Sequence, residues 1–406
     1  MRVAYITMTF PAPSETFACS DVAALSSLGV EVHVFTLRFA HPRQVDLVRE
    51  HGLEDVPLST LTPKRIVTGI AQALLRLPTT VQTVGWLFRN TWRRPEHLIK
   101  SLGALPSVFA IVHDIVRTRF DVVHMFWGHY PAIVGRVLLQ HSTRPVITTF
   151  LGAYDLELDH GPGNDVARRA DHVFTHATCN RAVLVERGVP TSRITVAHRG
   201  LPDRYLAPLD SSLDEERDAK ALLSVSRLIP QKRVDDVLRV FARVAATHPT
   251  ATLKVIGDGS ERSALEDLTR ELGVTERVAF LGHQPRDIVV RLMCKSSALL
   301  LLSANERLPN VVKEAMACGC IPIVTRSPGI DELVTDEKHG YVVEVGDIEA
   351  AAARVGDILC SIGADGMRRA SQEHVRTGFA ASASMEVYRC AWEACRDRSQ
   401  QSRGVT

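Results

Sequence analysis

The chain has 406 residues, 45% hydrophobic and 23% charged, an ordinary globular composition and longer than one hydrophobic core usually serves. A formal net charge of +2 excludes a chain-wide field that would draw nucleic acid, so any polyanion contact must be local. Eight scattered cysteines with no two-residue zinc spacing exclude a disulfide scaffold and read as reduced core thiols, Cys318 and Cys320 packing closely about Gly319.

Arg2 to Phe10 opens the chain as a strand, too short for a signal h-region and running into Pro11 and Pro13. The longest apolar run noted, Ala298 to Leu302, falls far below the roughly 20 residues of a membrane span, so the expectation is a cytoplasmic protein. Short Val/Ile/Leu-rich segments follow in rhythm: Val3–Thr7, Val30–Phe35, Val122–Met125, Val146–Phe150, His172–Thr175 and Ile194–Ala197. Apolar strands without polar alternation, separated by amphipathic stretches, predict a parallel sheet covered by helices on both faces. Asp203 to Lys220 is polar and acidic and reads as an interdomain linker.

The rhythm then restarts. Strands are predicted at Ala221–Ser226, Thr252–Ile256, Val278–Leu281, Ala298–Leu302 and Ile321–Val324, with helices at Val234–Thr247, Glu261–Leu272 and Pro309–Ala317. The fold class is therefore α/β, two doubly wound domains, with ligands expected at the carboxyl ends of the strands and a cleft where the domains face each other. Residues 1–200 form the first domain and 201–378 the second. In 379–406 the spacing of Phe379, Met385, Tyr388 and Trp392 predicts a closing helix that packs back toward the first domain.

The densest cluster of chemistry lies in the second domain. Glu306 and Glu314 flank Arg307-Leu308-Pro309-Asn310-Val311-Val312-Lys313 just after a buried strand. Pro309 sits where a helix begins, so the first-turn amides near Leu308, Pro309 and Asn310 are free to meet an anion. Glu306, at the mouth, suits sugar hydroxyls, and Glu314, deeper on the helix, suits a ribose diol. Arg227 and Lys232 follow the domain's first strand, and their charges suit a diphosphate, offsetting negative charge that develops on a leaving group. Gly257 and Gly259 give a tight turn around Asp258, while Gly282 and His283 end a further strand beside the expected base. Read one at a time, these are a solvated loop glutamate, a helix-surface glutamate, two surface cations and a surface histidine.

Taken in order, Arg227…Lys232, Gly257-Asp258-Gly259, Phe280-Leu281-Gly282 and Glu306 to Glu314 resemble the donor domain of family 4 glycosyltransferases, which have the GT-B fold of two Rossmann-like domains. The resemblance spans nearly the whole chain. Phe10-Pro11-Ala12-Pro13-Ser14-Glu15-Thr16-Phe17 resembles a Ser-Glu-Thr-Phe subgroup, often bacterial exopolysaccharide transferases, and places Ser14, Glu15 and Thr16 among the cleft candidates. The resemblance implies a retaining transfer from a nucleotide diphosphate sugar, which is a co-substrate, with no cofactor and no metal. It implies that Arg227 and Lys232 bind the diphosphate, Glu306 the donor sugar and Glu314 the ribose. The sequence departs from the family in three places: Arg233 and Arg307 stand where glycines usually follow the lysine and the first glutamate, and Leu151 stands at the place of a common histidine. A catalytically degenerate sensor or scaffold is the alternative these departures raise.

The acceptor side offers His124, His129 and Asp155, of which His124 is at least equally readable as a turn histidine and Asp155 as a helix cap. Residues 61–100 carry Lys64, Arg65, Arg76, Arg89, Arg93, Arg94 and Lys100 against Glu96, with Trp86, Phe88 and Trp92 interleaved. Such a stretch suits peripheral contact with the inner face of an anionic membrane and a glycan or lipid-linked acceptor, or else helices with solvated cations and core aromatics.

Overall fold

The computed structural model describes residues 1–12, 16–158, 160–206, 217–361 and 363–404. The chain divides into two compact units, residues 1–200 with 381–406, and residues 201–380.

The first unit is built on seven strands, β1 (Arg2–Thr7), β2 (Glu31–Thr36), β3 (Leu58–Ser59), β4 (Val122–Phe126), β5 (Val146–Phe150), β6 (His172–Thr175) and β7 (Ile194–Val196). They lie in the order β3-β2-β1-β4-β5-β6-β7 with every neighbouring pair parallel. β4 and β5 are buried throughout, which is why their sequences show no polar alternation. The two-residue period still sorts the faces. Val3, Tyr5, Val122, Phe126 and Phe150 join the core shared with the helices Thr16–Ser27 and Ala381–Gly404. Ala4, Ile6, Val123, Met125 and Ile147 pack with Val108, Ile111, Val112 and Ile115 of the helix Pro95–Thr118.

That helix corrects the hydropathy reading, because it is long and apolar enough to cross a membrane by length and composition. Here its apolar face packs in the core. A second correction concerns the chain's end. Met385, Tyr388 and Trp392 lie on the terminal helix Ala381–Gly404 in the first unit's core, whereas Phe379 caps the preceding helix Ala364–Gly378 in the second unit.

The second unit holds six parallel strands, β8 (Asp218–Val225), β9 (Thr252–Ile256), β10 (Val278–Gly282), β11 (Ser296–Leu301), β12 (Ile321–Thr325) and β13 (Tyr341–Val343), ordered β10-β9-β8-β11-β12-β13. Asp218 to Lys220, read from sequence as linker, are the first residues of β8; residues 207–216 of that stretch lie outside the described residues. The helix Val234–Thr247 buries Val237, Leu238, Phe241 and Val244 at helical spacing against Leu222, Leu253 and Leu300 of the sheet. Each such side chain removed from water stabilises the unit by about 1.5–3 kcal/mol.

Candidate active site

The second unit's site is made by the loops that leave the carboxyl ends of β8, β9 and β11. The β8 and β9 loops are pinned to each other by backbone. Ser226 N donates to Ile256 O at 3.0 Å, Leu228 N to Asp258 O at 2.9 Å, and Glu261 N to Leu228 O at 3.0 Å. This closeness explains the glycines. A Cβ on Gly257, whose φ is +128°, would stand 1.8 Å from Ser226 O, and one on Gly259 would stand 2.2 Å from Leu228 O. Only glycine allows such an approach. Gly257 N in turn donates to Gly282 O at 2.9 Å, tying in the end of β10, where His283 is exposed.

The β11 loop is drawn in the same way, Ala304 N donating to Gln231 O at 2.9 Å and Glu306 N to Ser327 Oγ at 3.3 Å. Lys232 Nζ donates to Glu306 Oε1 in an ion pair whose side chains are both largely sheltered from water. Arg227, earlier on the same β8 loop, is exposed. β11 stops at Leu301, and Glu306 lies out on the loop rather than at the strand's end. Pro309 immediately precedes the helix Asn310–Ala317, with φ −63° and ψ 130°, so the helix begins one residue later than expected. The first two amides, of Asn310 and Val311, have no carbonyl acceptor inside the helix and form its positive end, while Val312 N donates to Pro309 O at 3.2 Å.

Glu314 lies one turn further along that helix and accepts from Arg286 Nη2 at 2.6 Å. Burial pushes its carboxyl up from the ordinary range, and Arg286 and Lys313 only partly oppose this. Lys313 is 1% exposed and donates to Asn310 Oδ1 at 3.1 Å. Arg286, whose guanidinium also lies 4.0 Å over the Tyr205 ring, is absent from the sequence reading. One signal existed: an arginine directly after Pro285 in a helix's first turn opposes the helix dipole and calls for a carboxylate partner.

The two glycine departures have distinct outcomes. Arg233 adopts φ 47° and ψ 46°, the left-handed conformation that favours glycine, and its Nε donates to Asp236 at 2.6 Å. After Glu306 the left-handed residue is Leu308, with φ 51° and its side chain buried, rather than Arg307.

In the first unit, Ser14 and Glu15 lie outside the described residues, and Thr16 is the first residue of the helix Thr16–Ser27. His124 is a core residue and does not face an acceptor. It shares the face of Val122 and Phe126, its Nδ1 meets Thr148 Oγ1 at 2.9 Å, and its ring lies 5.4 Å from Tyr388 and 5.5 Å from Trp392. Burial, with Arg199 adding to it, pulls its pKa down to about 3. Asp155 is likewise committed, accepting from Gly128 N at 2.8 Å and Gly152 N at 2.9 Å and so bracing the turns after β4 and β5. His129 follows the β4 turn, and burial, Arg38 and His97 lower its pKa to about 4. Leu151 is buried and fills the space beside Gly128, where a Cβ would stand 2.1 Å from its Cδ2.

Two doubly wound units with this topology have the GT-B architecture. Crystal structures agree: the Anabaena protein Alr3699/HepE, solved in complex with UDP, superposes with a TM-score of 0.72 over 97% of this chain and 100% of that one, at 17% identity. Residues 209–369 match the family described as glycosyl transferases group 1. The N-acetyl-alpha-D-glucosaminyl L-malate synthase of Bacillus anthracis is 33% identical over 63% of this chain and 69% of its own length. The D-inositol 3-phosphate glycosyltransferase of Mycobacterium marinum is 30% identical over 87% and 75%. The chain belongs to this family, the group 1 or family 4 glycosyltransferases.

Proposed function

We propose that the second unit binds a nucleoside diphosphate sugar and that the enzyme transfers its sugar, with retention of anomeric configuration and without a metal, to a hydroxyl of an acceptor held by the first unit. The observation that carries this reading is the Lys232–Glu306 ion pair, which joins the β8 and β11 loops close to the positive end of the helix Asn310–Ala317. A diphosphate entering there meets an ammonium, the Arg227 guanidinium and helix amides, a set that stabilises charge growing on the leaving group without a metal. The Glu306 carboxylate, loosened from Lys232 as phosphate takes its place, accepts hydrogen bonds from the sugar. Glu314 accepts from the ribose diol, its buried carboxylate gaining donors that water does not supply. With no histidine at position 151, the departing phosphate oxygen takes the acceptor's proton. The acceptor is a glycan, lipid-linked or small-molecule hydroxyl on the cytoplasmic side, and His129 is a first-unit candidate the geometry leaves open.

The test is thermal stabilisation by a panel of UDP-, GDP- and ADP-sugars, starting with UDP-sugars because the Anabaena neighbour was solved with UDP. A matched donor at a hundred times its Kd stabilises the folded protein by about 2.7 kcal/mol. No shift with any donor would reject the reading. Activity unchanged by a chelator supports metal independence, and its loss would overturn it. Buried Leu151 at the histidine's place favours one second reading, a donor-binding scaffold; tight donor binding with neither transfer nor hydrolysis would select it.

A further inference from the structure

Among the described residues, 16 large hydrophobic side chains are exposed, and nine of them lie between Val67 and Ile99 of the first unit. Helical geometry concentrates them. On the helix Pro63–Leu75, Gly69 meets the helix Pro95–Thr118 so closely that a Cβ would stand 1.8 Å from Pro106 O, which fixes the packed face. Val67, Ile70 and Leu74 project from the opposite side, Leu74 66% exposed. The helix Leu77–Thr91 repeats the arrangement. Thr83, Trp86 and Leu87 are buried, with Trp86 Nε1 donating to Asp165 at 2.9 Å, while Leu77, Val81, Phe88 and, just past its end, Trp92 lie on the outward side. Two consecutive helices are thus apolar on the side that faces solvent as well as on the side that faces protein, a pattern that aqueous exposure alone does not stabilise.

The charge around these stripes selects the occupant. Residues 61–100 carry seven bases against Glu96, a net +6 in a chain whose total is +2, so the rest of the molecule carries −4. Arg65 is consumed by Asp114 at 2.5 Å, but Lys64, Arg89, Arg93 and Lys100 are exposed, with Arg93 stacked 5.1 Å over the Trp92 ring. A second copy of this chain would bring the same positive charge against itself. Exposed aliphatic stripes, an aromatic at their border and a rim of cations together match an anionic lipid surface, into which the apolar side chains insert while the cations meet headgroup phosphates.

We infer that the helices Pro63–Leu75 and Leu77–Thr91 form a reversible docking surface for anionic membranes. The experiment is co-sedimentation of the full chain with phosphatidylglycerol-containing vesicles and with pure phosphatidylcholine vesicles, across a salt titration. The expected result is binding to anionic vesicles that weakens steeply with salt and is far weaker on neutral ones. Arg89→Gln with Arg93→Gln lowers the partition coefficient about thirty-fold, and Leu74→Ser with Val81→Ser lowers it by at least about ten-fold. Both pairs are solvent-facing, and an unchanged thermal midpoint verifies that folding is intact. Absence of binding at low salt, equal binding to neutral vesicles, or a dimer in light scattering that Leu74→Ser with Val81→Ser dissolves would each overturn the inference. Because binding is read without turnover, its outcome is independent of the proposed transfer reaction.

Discussion

Lys232 and Glu306 hold each other, and this shapes what each substitution does. Lys232→Ala removes the ammonium that would meet the diphosphate and leaves the Glu306 carboxylate, already sheltered from water, without its partner. Turnover is expected to fall about 10²- to 10³-fold, the cost of losing one preorganised group that stabilises leaving-group charge. Glu306→Ala is expected to act differently, weakening discrimination among sugars and turnover while nucleoside diphosphate affinity holds or rises, because Lys232 is then free to meet phosphate. Steady-state kinetics together with calorimetric titration of the nucleotide separate the two. Equal loss of nucleotide binding in both variants would assign the pair to structure rather than to the reaction. Glu314 gives a third contrast. Arg286→Ala leaves a buried carboxylate with less compensation, so its pKa rises further and nucleoside affinity becomes more sensitive to acidification.

The strands and helices that position these residues were legible in sequence because each carries its own period: the helix Val234–Thr247 and the strand Thr252–Ile256 fall on the predicted residues. The two-residue β3 and three-residue β13 were not, since so few residues show no periodicity and are held by pairing with β2 and β12. The same limit applies within the site. Glycine spacing announced a tight turn, but the requirement at Gly257 comes from a neighbouring backbone 31 positions earlier, Ser226 O, which only the fold brings near. The core place of His124 needed its facing helix to be seen, although the alternation Val122, His124, Phe126 already puts it on one sheet face. Gly257→Ala tests this dependence on the neighbouring backbone. With φ +128° and 1.8 Å to a carbonyl oxygen, the β8 and β9 loops must separate, costing at least about 2 kcal/mol and most donor affinity. Arg233→Gly, by contrast, relieves a left-handed residue but removes the nearer partner of Asp236, leaving it Arg239 at 3.7 Å, so the two effects of about 1 kcal/mol nearly cancel and the thermal midpoint stays within a few degrees.

Across the whole molecule, buried histidines are unevenly divided, and this gives the two units different responses to acid. In the first unit burial lowers His124 and His160 to about 3 and His129 and His172 to about 4, while in the second unit His339 falls to about 4. Below their ordinary value near 6.5 the unfolded chain takes up protons that the folded unit refuses. Stability is therefore fully present above about pH 6.5, falls as pH drops through the interval down to about 3, and levels off once the folded state also protonates. Each histidine contributes about 1–2 kcal/mol of loss between pH 6.5 and 5. The probe is built in, because Trp86, Trp92, Trp127 and Trp392 all belong to the first unit. Thermal unfolding followed by tryptophan fluorescence is expected to shift to lower temperature from pH 7 to pH 5 by more than the unfolding followed by circular dichroism, which also reports the second unit. His124→Gln should reduce that pH slope by close to one proton while lowering stability at pH 7. Superimposable fluorescence and dichroism transitions that move together with pH would show that the histidines do not set the acid response of the first unit.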